Sequence, residues 1–542
     1  MDEAATAGTV THAHEVDAPQ SSAEERAKLR KSVGRLDIFS VLLCALVGLD
    51  TIGAFANQGA EGLTWFVFLA IVFFVPAALL TAELGSAFPA EGGPYVWARL
   101  AYGRLIGSIT AILYWATNPL WLGGSLTILA VATMDEFLVP LEGVTEWAFA
   151  LAFIWVTIWA VIASGSVGRW LPIIGAFTRI IVLSFFAISV VVYLVQNGTG
   201  DALSWSGLAP SYVVFIASVP ILLFKFAGSE VGSNAAEEME NPQRDVPLAV
   251  LRSGIATVLL YGIPILGILL VLPADRLSEL GGFLDAMKEV FTVYGGSVAS
   301  NGDVTLTGAG AVLGDIAAVA FILALASSAG AWIGGADRAL ATSCYDAAGP
   351  LWLGRISART GTPVRVNLLS GIVATITMAA AFALTGSDSN RYFSVALGIA
   401  LSTTVISYLF VYPSLAKLRK THPDTPRPFR VPGGPGVARF VCWLATFWIV
   451  VGSISLIWPG FGTGWFGTKG SPGEAISKLG FDGERFLFEL TQIVPLVLLV
   501  LVGVAFWWVG RRQLEPDAVA SPSAGHSTTV APEDLRSDGP SD

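Results

Sequence analysis

Charge is what this chain has least of. Only 13% of its 542 residues are Asp, Glu, Lys or Arg, where soluble domains carry about 25%. With 54% apolar residues, that scarcity excludes an ordinary water-soluble globule. The three cysteines, Cys44, Cys344 and Cys442, fall in or beside apolar runs without C-x-x-C spacing. A disulfide framework and a structural zinc site are therefore not expected. Histidine is equally scarce, and three of the four lie in the polar tails, so no metal centre and no cofactor are expected. The chain lacks a G-x-x-x-x-G-K-[ST] loop, which argues against an ATP-driven pump. It lacks a catalytic His pair and a G-x-S-x-G elbow, which argues against a membrane hydrolase. Nothing marks a nucleic-acid partner. No apolar leader precedes a small-residue cleavage site, so the first hydrophobic run is expected to remain as a span.

What is abundant is long apolar runs. Twelve stand out, near 37–58, 64–88, 105–134, 146–164, 171–195, 213–236, 247–272, 312–343, 366–386, 392–416, 437–459 and 487–509. Each is long enough to cross a bilayer as a helix, so the expected fold class is an all-α membrane protein with 12 transmembrane helices. Basic residues cluster before the first run (Arg26, Lys28, Arg30, Lys31, Arg35) and after the tenth (Lys417, Arg419, Lys420, Arg427, Arg430, Arg439). The alternate connections are acidic, as at Asp135, Glu136, Glu142 and Glu146. The positive-inside rule then places both termini in the cytoplasm of a multi-pass plasma-membrane protein. Residues 1–35 and 511–542 read as disordered cytoplasmic tails, 36–416 as a core of ten spans, and 417–510 as a basic loop with two further spans. The Gly-rich connections 273–311 and 460–486 have room for short helices over the outer mouth.

The run from Pro220 to Pro247 organises the rest. An apolar helix there carries Lys225, Gly228, Ser229 and Glu230 in quick succession. Charges at bilayer depth are expensive without a partner or a task, and glycine weakens the helix beside them. A glycine-broken, charged span reads as a transporter's binding helix, against the plainer reading of a buried Lys225–Glu230 pair. The first span repeats the pattern, with Asp50 between Gly48 and Gly53. Two acid-bearing broken spans separated by five suggest an inverted repeat of spans 1–5 and 6–10. Half-helix N-termini would favour a carboxylate, and the acids an amine or a proton. Asp50 would either meet a cationic amine or pair with Lys225. After the second span, Pro89, Gly92, Gly93 and Pro94 make a turn, while Tyr95, Trp97, Arg99 and Arg104 suit a membrane interface. Glu83 is expected to pair with a loop cation. Glu237, Glu238, Glu240 and Arg244 invite gating ion pairs with Arg99, Arg104 or Arg338, with Asp346 a weaker candidate of the same kind.

FPAEGGPYVW (Phe88–Trp97), the broken first span, and F-x-G-x-E (Phe226, Gly228, Glu230) ahead of AEEMENPQRDVP (Ala236–Pro247) together resemble the amino acid–polyamine–organocation permeases. The resemblance covers roughly residues 37–510. It implies a five-plus-five inverted-repeat core plus two C-terminal helices, with spans one, three, six, eight and ten around the substrate. By the same resemblance, backbone around Gly53 and Ala54, beside Asp50 and Thr51, would hold a substrate carboxylate. Backbone from Phe226 through Gly228 to Ser229 would hold the α-amino group, Phe226 would gate, and Glu230 would gate or carry a proton. Arg179 falls where some members place a lysine whose charge stands in for sodium, and Ser327 and Ser328 would face the same spot. Phe55 departs from the glycine, small residue, glycine pattern, and Asp50 and Lys225 are not general family features. The implied function is a sodium-independent secondary active transporter of amino acids or related amines, proton-coupled or exchanging. Its implied partners are a small-molecule substrate, the bilayer and a proton. A polyamine or organocation permease and a non-transporting amino acid sensor are the alternatives, and oligomeric state is not legible.

Overall fold

The computed structural model describes residues 20–29, 31, 33–163, 170–200, 203, 206–273, 276–277, 282–299, 302–385, 389–465, 481 and 483–519. The chain is mostly helical. Among the described residues, ten helices are long and apolar enough to cross a membrane, from Gly59–Ala87 to Arg485–Leu514. Their outer faces expose Ile71, Ile181, Ile376, Phe447 and Leu501, a surface that acyl chains accept and water does not. This is a multi-pass membrane protein.

The expected first and third spans lie outside that set of ten, for different reasons. The first is broken: helix Arg35–Leu46, an extended step at Val47 and Gly48, a 3₁₀ turn Leu49–Thr51, then a short helix Ile52–Ala56. The third runs from Arg104 to Phe137 through a π-bulge at Leu122–Leu126. Its middle holds Thr117, Asn118, Pro119, Gly123, Gly124 and Ser125, which dilute its hydropathy. The expected sixth span is broken as well. Helix Tyr212–Phe226 ends in an extended Ala227, Gly228 turns the chain at φ +115°, and a 3₁₀ stretch Val231–Glu238 follows.

The first and last described helices meet at one face of the bundle. In the helix Gln20–Arg26, Glu25 accepts a hydrogen bond from the Ile356 amide at 2.7 Å, and in the helix Arg485–Val519, Gln513 accepts one from the Leu351 amide at 2.9 Å. Between Gln20 and the first span the chain forms a strap. Arg26 lies 3.6 Å from Glu237, and Val33 donates to the Glu238 carbonyl at 3.1 Å. At the opposite face, the connection after Val271 carries a helix, Gly282–Phe291, and a hairpin pairing Gly296–Val298 antiparallel to Val304–Leu306. That helix buries Phe283, Leu284, Met287 and Val290 over the Ile52–Ala56 segment. Of the tails expected to be disordered, 1–35 and 511–542, residues 1–19 and 520–542 lie outside the described residues, as does most of the second glycine-rich connection, whereas Gln20–Arg26 and the end of Arg485–Val519 are helical.

Candidate substrate and coupling site

A helix that stops inside a bundle leaves carbonyl groups without intrahelical partners. At the end of Arg35–Leu46, neighbouring helices supply the donors. Trp332 donates its indole N–H to the Ala45 carbonyl at 2.9 Å, Ser328 its hydroxyl to the Cys44 carbonyl at 3.0 Å, and Arg179 its Nε–H to the Val47 carbonyl at 2.8 Å. Gly48 is held on both sides by one hydroxyl: its amide donates to Tyr261 at 2.7 Å, and Tyr261 donates to its carbonyl at 2.9 Å. The unwound turn is thus a fixed structure.

Arg179 is the hub. Fully buried, it also donates to the Gly175 carbonyl at 2.9 Å, the Ser327 hydroxyl at 2.7 Å, the Ala324 carbonyl and the Ser328 hydroxyl. The structure therefore brings Arg179, Ser327 and Ser328 together at the first break. A guanidinium thus fills a ring of carbonyl and hydroxyl oxygens.

Asp50, in the 3₁₀ turn of the first break, is 2% exposed. One carboxylate oxygen accepts the Trp121 indole N–H at 2.9 Å, and the other lies 3.4 Å from the Lys225 ammonium. Lys225 closes the last turn of Tyr212–Phe226, where a cation complements the helix dipole. Its ammonium sits over the rings of Phe224 at 5.2 Å and Tyr261 at 5.7 Å. Lys225 therefore pairs with Asp50 across the two breaks rather than with Glu230.

Glu230 is fully buried and accepts three hydrogen bonds: from Tyr408 at 2.5 Å, Tyr114 at 3.1 Å and the Gly228 amide at 3.2 Å. Asn234 donates to Tyr114 at 3.1 Å. The acid thus caps the second break with its own carboxylate. Ser229 shares a 2.8 Å hydrogen bond with Thr81, and Phe226 stacks on Phe74 at 4.9 Å beside Phe66 at 5.4 Å.

Gly228 combines a left-handed backbone with a side-chain wall, since a Cβ there would lie 2.9 Å from the Trp332 ring. Gly228→Ala is expected to cost about 1–2 kcal/mol from the backbone alone, with the Trp332 clash added. A lowered thermal midpoint in detergent, with loss of uptake, is the measurement. Wild-type behaviour would show that the break tolerates a side chain.

Some expected positions shift. The first break falls at Val47–Thr51, so Gly53 and Ala54 already belong to the next short helix. Gly48 rather than Gly53 opens the turn, because Tyr261, Arg179 and Trp332 supply its missing partners. Tyr95 and Trp97 are fully buried rather than interfacial, because Tyr95 donates to Asp346 at 2.5 Å and Trp97 to the Phe88 carbonyl at 3.4 Å. At the terminal face one expected ion pair forms, Arg338 with Glu238, and the others take different partners. Arg338 pairs with Glu238 at 2.8 Å and reaches Glu91 at 3.3 Å, Arg99 pairs with Asp346 at 2.9 Å, and Glu237 meets Arg26. Burial, followed by the charge of Glu238, pushes the Glu91 carboxyl well above its ordinary value, and Arg338 opposes them. Glu83 pairs with Arg419 in the last turn of the helix Ser389–Thr421 and with Arg427 in the loop after it. Behind these pairs lies a cavity of about 120 Å³ lined by Val33, Ile38, Val41, Val231, Met239 and Arg338, among others.

Trp121, Tyr114, Tyr261 and Tyr408 were not legible as site residues, since an aromatic in an apolar run reads as core. Asp337 was also missed. It is fully buried and takes hydrogen bonds from Trp115 at 3.0 Å, Ser370 at 2.6 Å and Asn367 at 2.5 Å. Its signal was an acid set deep in an apolar span.

Two helices broken at buried acids, wrapped by intact spans, define a membrane transporter rather than an enzyme. The amino acid permease family model matches residues 33–466, and the chain belongs to that family. It is 29% identical over 416 residues to an uncharacterised transporter of Legionella pneumophila, covering 74% of this chain and 84% of that one. A Lactococcus lactis protein named "Probable agmatine/putrescine antiporter" is 25% identical over 92% of this chain and 99% of its own. Among solved structures, a manganese transporter of Eremococcus coleocola superposes with a TM-score of 0.54 at 12% identity, covering 87% of this chain and 95% of that one. At that identity the likeness is one of fold. Homologues and family together make this a membrane transporter of amino acids or amines.

Proposed function

We propose that the chain is a sodium-independent secondary active transporter in the plasma membrane, with both termini cytoplasmic. Twelve spans form a five-plus-five repeat with two added helices. Substrate binds between the two breaks, near Asp50, Thr51, Phe226, Gly228 and Ser229, and transport is proton-coupled or exchanging. The observation that carries this reading is the meeting of the two broken helices through Asp50 and Lys225. Sodium independence rests on Arg179, whose fixed charge fills the oxygen cage at the first break. The orientation rests on Arg35, Arg99, Arg338 and Arg419 gathering at the face where the first and last described helices meet. Those pairs act as the inner gate, and Phe226 stacked on Phe74 acts as the outer one. A polyamine or organocation cargo is the second reading, favoured by two buried acids at the breaks.

Uptake of labelled amino acids and polyamines into proteoliposomes tests the proposal. Runs with a pH gradient, with internal unlabelled substrate, and with choline replacing sodium separate the modes. Uptake is expected to be unchanged without sodium and to require either the pH gradient or internal substrate. Uptake that stops when sodium is removed would refute the role given to Arg179. No flux with retained amino acid binding would favour a sensor.

A further inference from the structure

We propose that Lys225 is a tethered stand-in for the substrate: its ammonium occupies the Asp50 cation subsite of the empty carrier, and a cationic amine displaces it in exchange for the lysine's proton. This rests on the transporter reading above and names its cargo as an amine cation and its counter-substrate as a proton.

Four features separate this site from a fixed structural pair. First, the carboxylate does not need the lysine to hold its place, because Trp121 anchors one oxygen at 2.9 Å. Second, the contact is long. At 3.4 Å it is the single hydrogen bond that the Lys225 ammonium donates among the described residues, longer than the ~2.7–2.9 Å of a strong charge-assisted bond. Third, the surroundings form a general cation site, with two aromatic faces beside one carboxylate. Fourth, the place is tight. A Cβ on Gly48 would lie 2.6 Å from Asp50 and 2.9 Å from the Lys225 nitrogen, so the ammonium rests directly against the unwound turn.

A dry site with one carboxylate neutralises one cation. The charged and titratable groups facing Lys225 are Asp50 from the first span, the Tyr261 phenol from the helix Pro242–Val271, and the guanidinium of Arg179 from the helix Trp170–Asn197. With Arg179 already positive, the site has no counter-charge for a second ammonium. An incoming amine cation that takes Asp50 leaves Lys225 unpaired, and an unpaired ammonium in low dielectric surrenders its proton. In that step one N–H bond of Lys225 breaks and its electron pair stays on Nζ. The proton leaves on a water of the open access path. On the other side the amine departs, Lys225 takes a proton from water there, and re-forms the pair. One amine cation is exchanged for one proton, with no net charge moved, and the empty site is never left with a bare carboxylate.

Calorimetry of the binding of n-butylamine, an amine cation of single charge, to the purified full chain, at one pH in buffers of different ionisation enthalpy, counts protons released. About one proton per bound amine is expected for wild type. Lys225→Met removes the competitor and is expected to bind n-butylamine about tenfold tighter with no proton release. Lys225→Arg keeps a charge beside Asp50, and so serves if the methionine variant does not fold. Its guanidinium cannot shed a proton, so binding should weaken at least about tenfold and proton release vanish. Wild-type binding without proton release, undiminished release in K225R, or weaker binding in folded K225M would each overturn the proposal. A wild type that neither binds amines nor carries any labelled substrate into liposomes would instead sink the transporter reading beneath it.

Discussion

Replacing Arg179 by methionine is expected to destabilise the transporter by at least about 3 kcal/mol and to abolish uptake. The guanidinium satisfies the Val47, Gly175 and Ala324 carbonyls and the hydroxyls of Ser327 and Ser328. Each buried acceptor left without a donor costs about 1–3 kcal/mol, and no nearby water is assured inside a bilayer. The loss falls on the unwound turn, so its geometry changes along with its stability. Arg179→Lys retains the charge but not the planar fork that reaches several oxygens at once. It should lie between wild type and methionine in thermal midpoint. A methionine variant that melts and transports like wild type would show that the turn is held by Trp332, Ser328 and Tyr261 alone. Restoration of uptake in that variant by sodium, with wild type indifferent, would be direct support for the cation-cage reading.

Glu230→Gln is the second large effect, expected to cut the initial uptake rate about 30- to 100-fold, or ~2–2.7 kcal/mol of barrier. Three donors converge on this carboxylate. An amide offers one acceptor and brings two donors, so whichever way it turns, an N–H faces an N–H or forces the tyrosine hydroxyls to reverse. Hydrogen bonds to a charged group are worth about 1.5–3 kcal/mol each, and the Gly228 amide has no proton-accepting alternative. Tyr408→Phe removes one donor only, and its uptake should fall about tenfold. Equal rates for E230Q and wild type would reduce Glu230 to a structural cap.

Much of the fold was legible because membrane spans announce themselves by length. The two breaks were legible because glycine beside a buried acid is costly unless the helix stops there, as at Gly228. The exact position of the first break was not. Gly48 and Gly53 are alike as letters, and what selects Gly48 is the Tyr261 hydroxyl, more than two hundred residues away in sequence. The Arg179–Ser327–Ser328 meeting came only from a family resemblance, since nothing in one sequence says which arginine in an apolar run turns inward. The tyrosines around Glu230 were invisible for a related reason. A ring in an apolar segment packs the same way whether its hydroxyl meets a carboxylate or a headgroup. At the terminal face the pairing of Arg338 with Glu238 was legible, whereas Glu237 takes Arg26 and Arg99 takes Asp346. Glu237, Glu238 and Asp346 share the neighbourhood of Arg26, Arg99 and Arg338, and the pairing among them depends on rotamers.

The strap from Gln20 to Val33 has a consequence for the order in which the molecule is completed. Its partners are the Glu237 carboxylate, the Glu238 carbonyl and the Ile356 amide. During synthesis those partners emerge long after the strap itself, and Ile356 follows eight of the expected spans. The strap therefore waits, undocked, until most of the bundle has entered the bilayer. Docking then joins early and late parts of the chain at one face, so a segment made early is among the last to find its place.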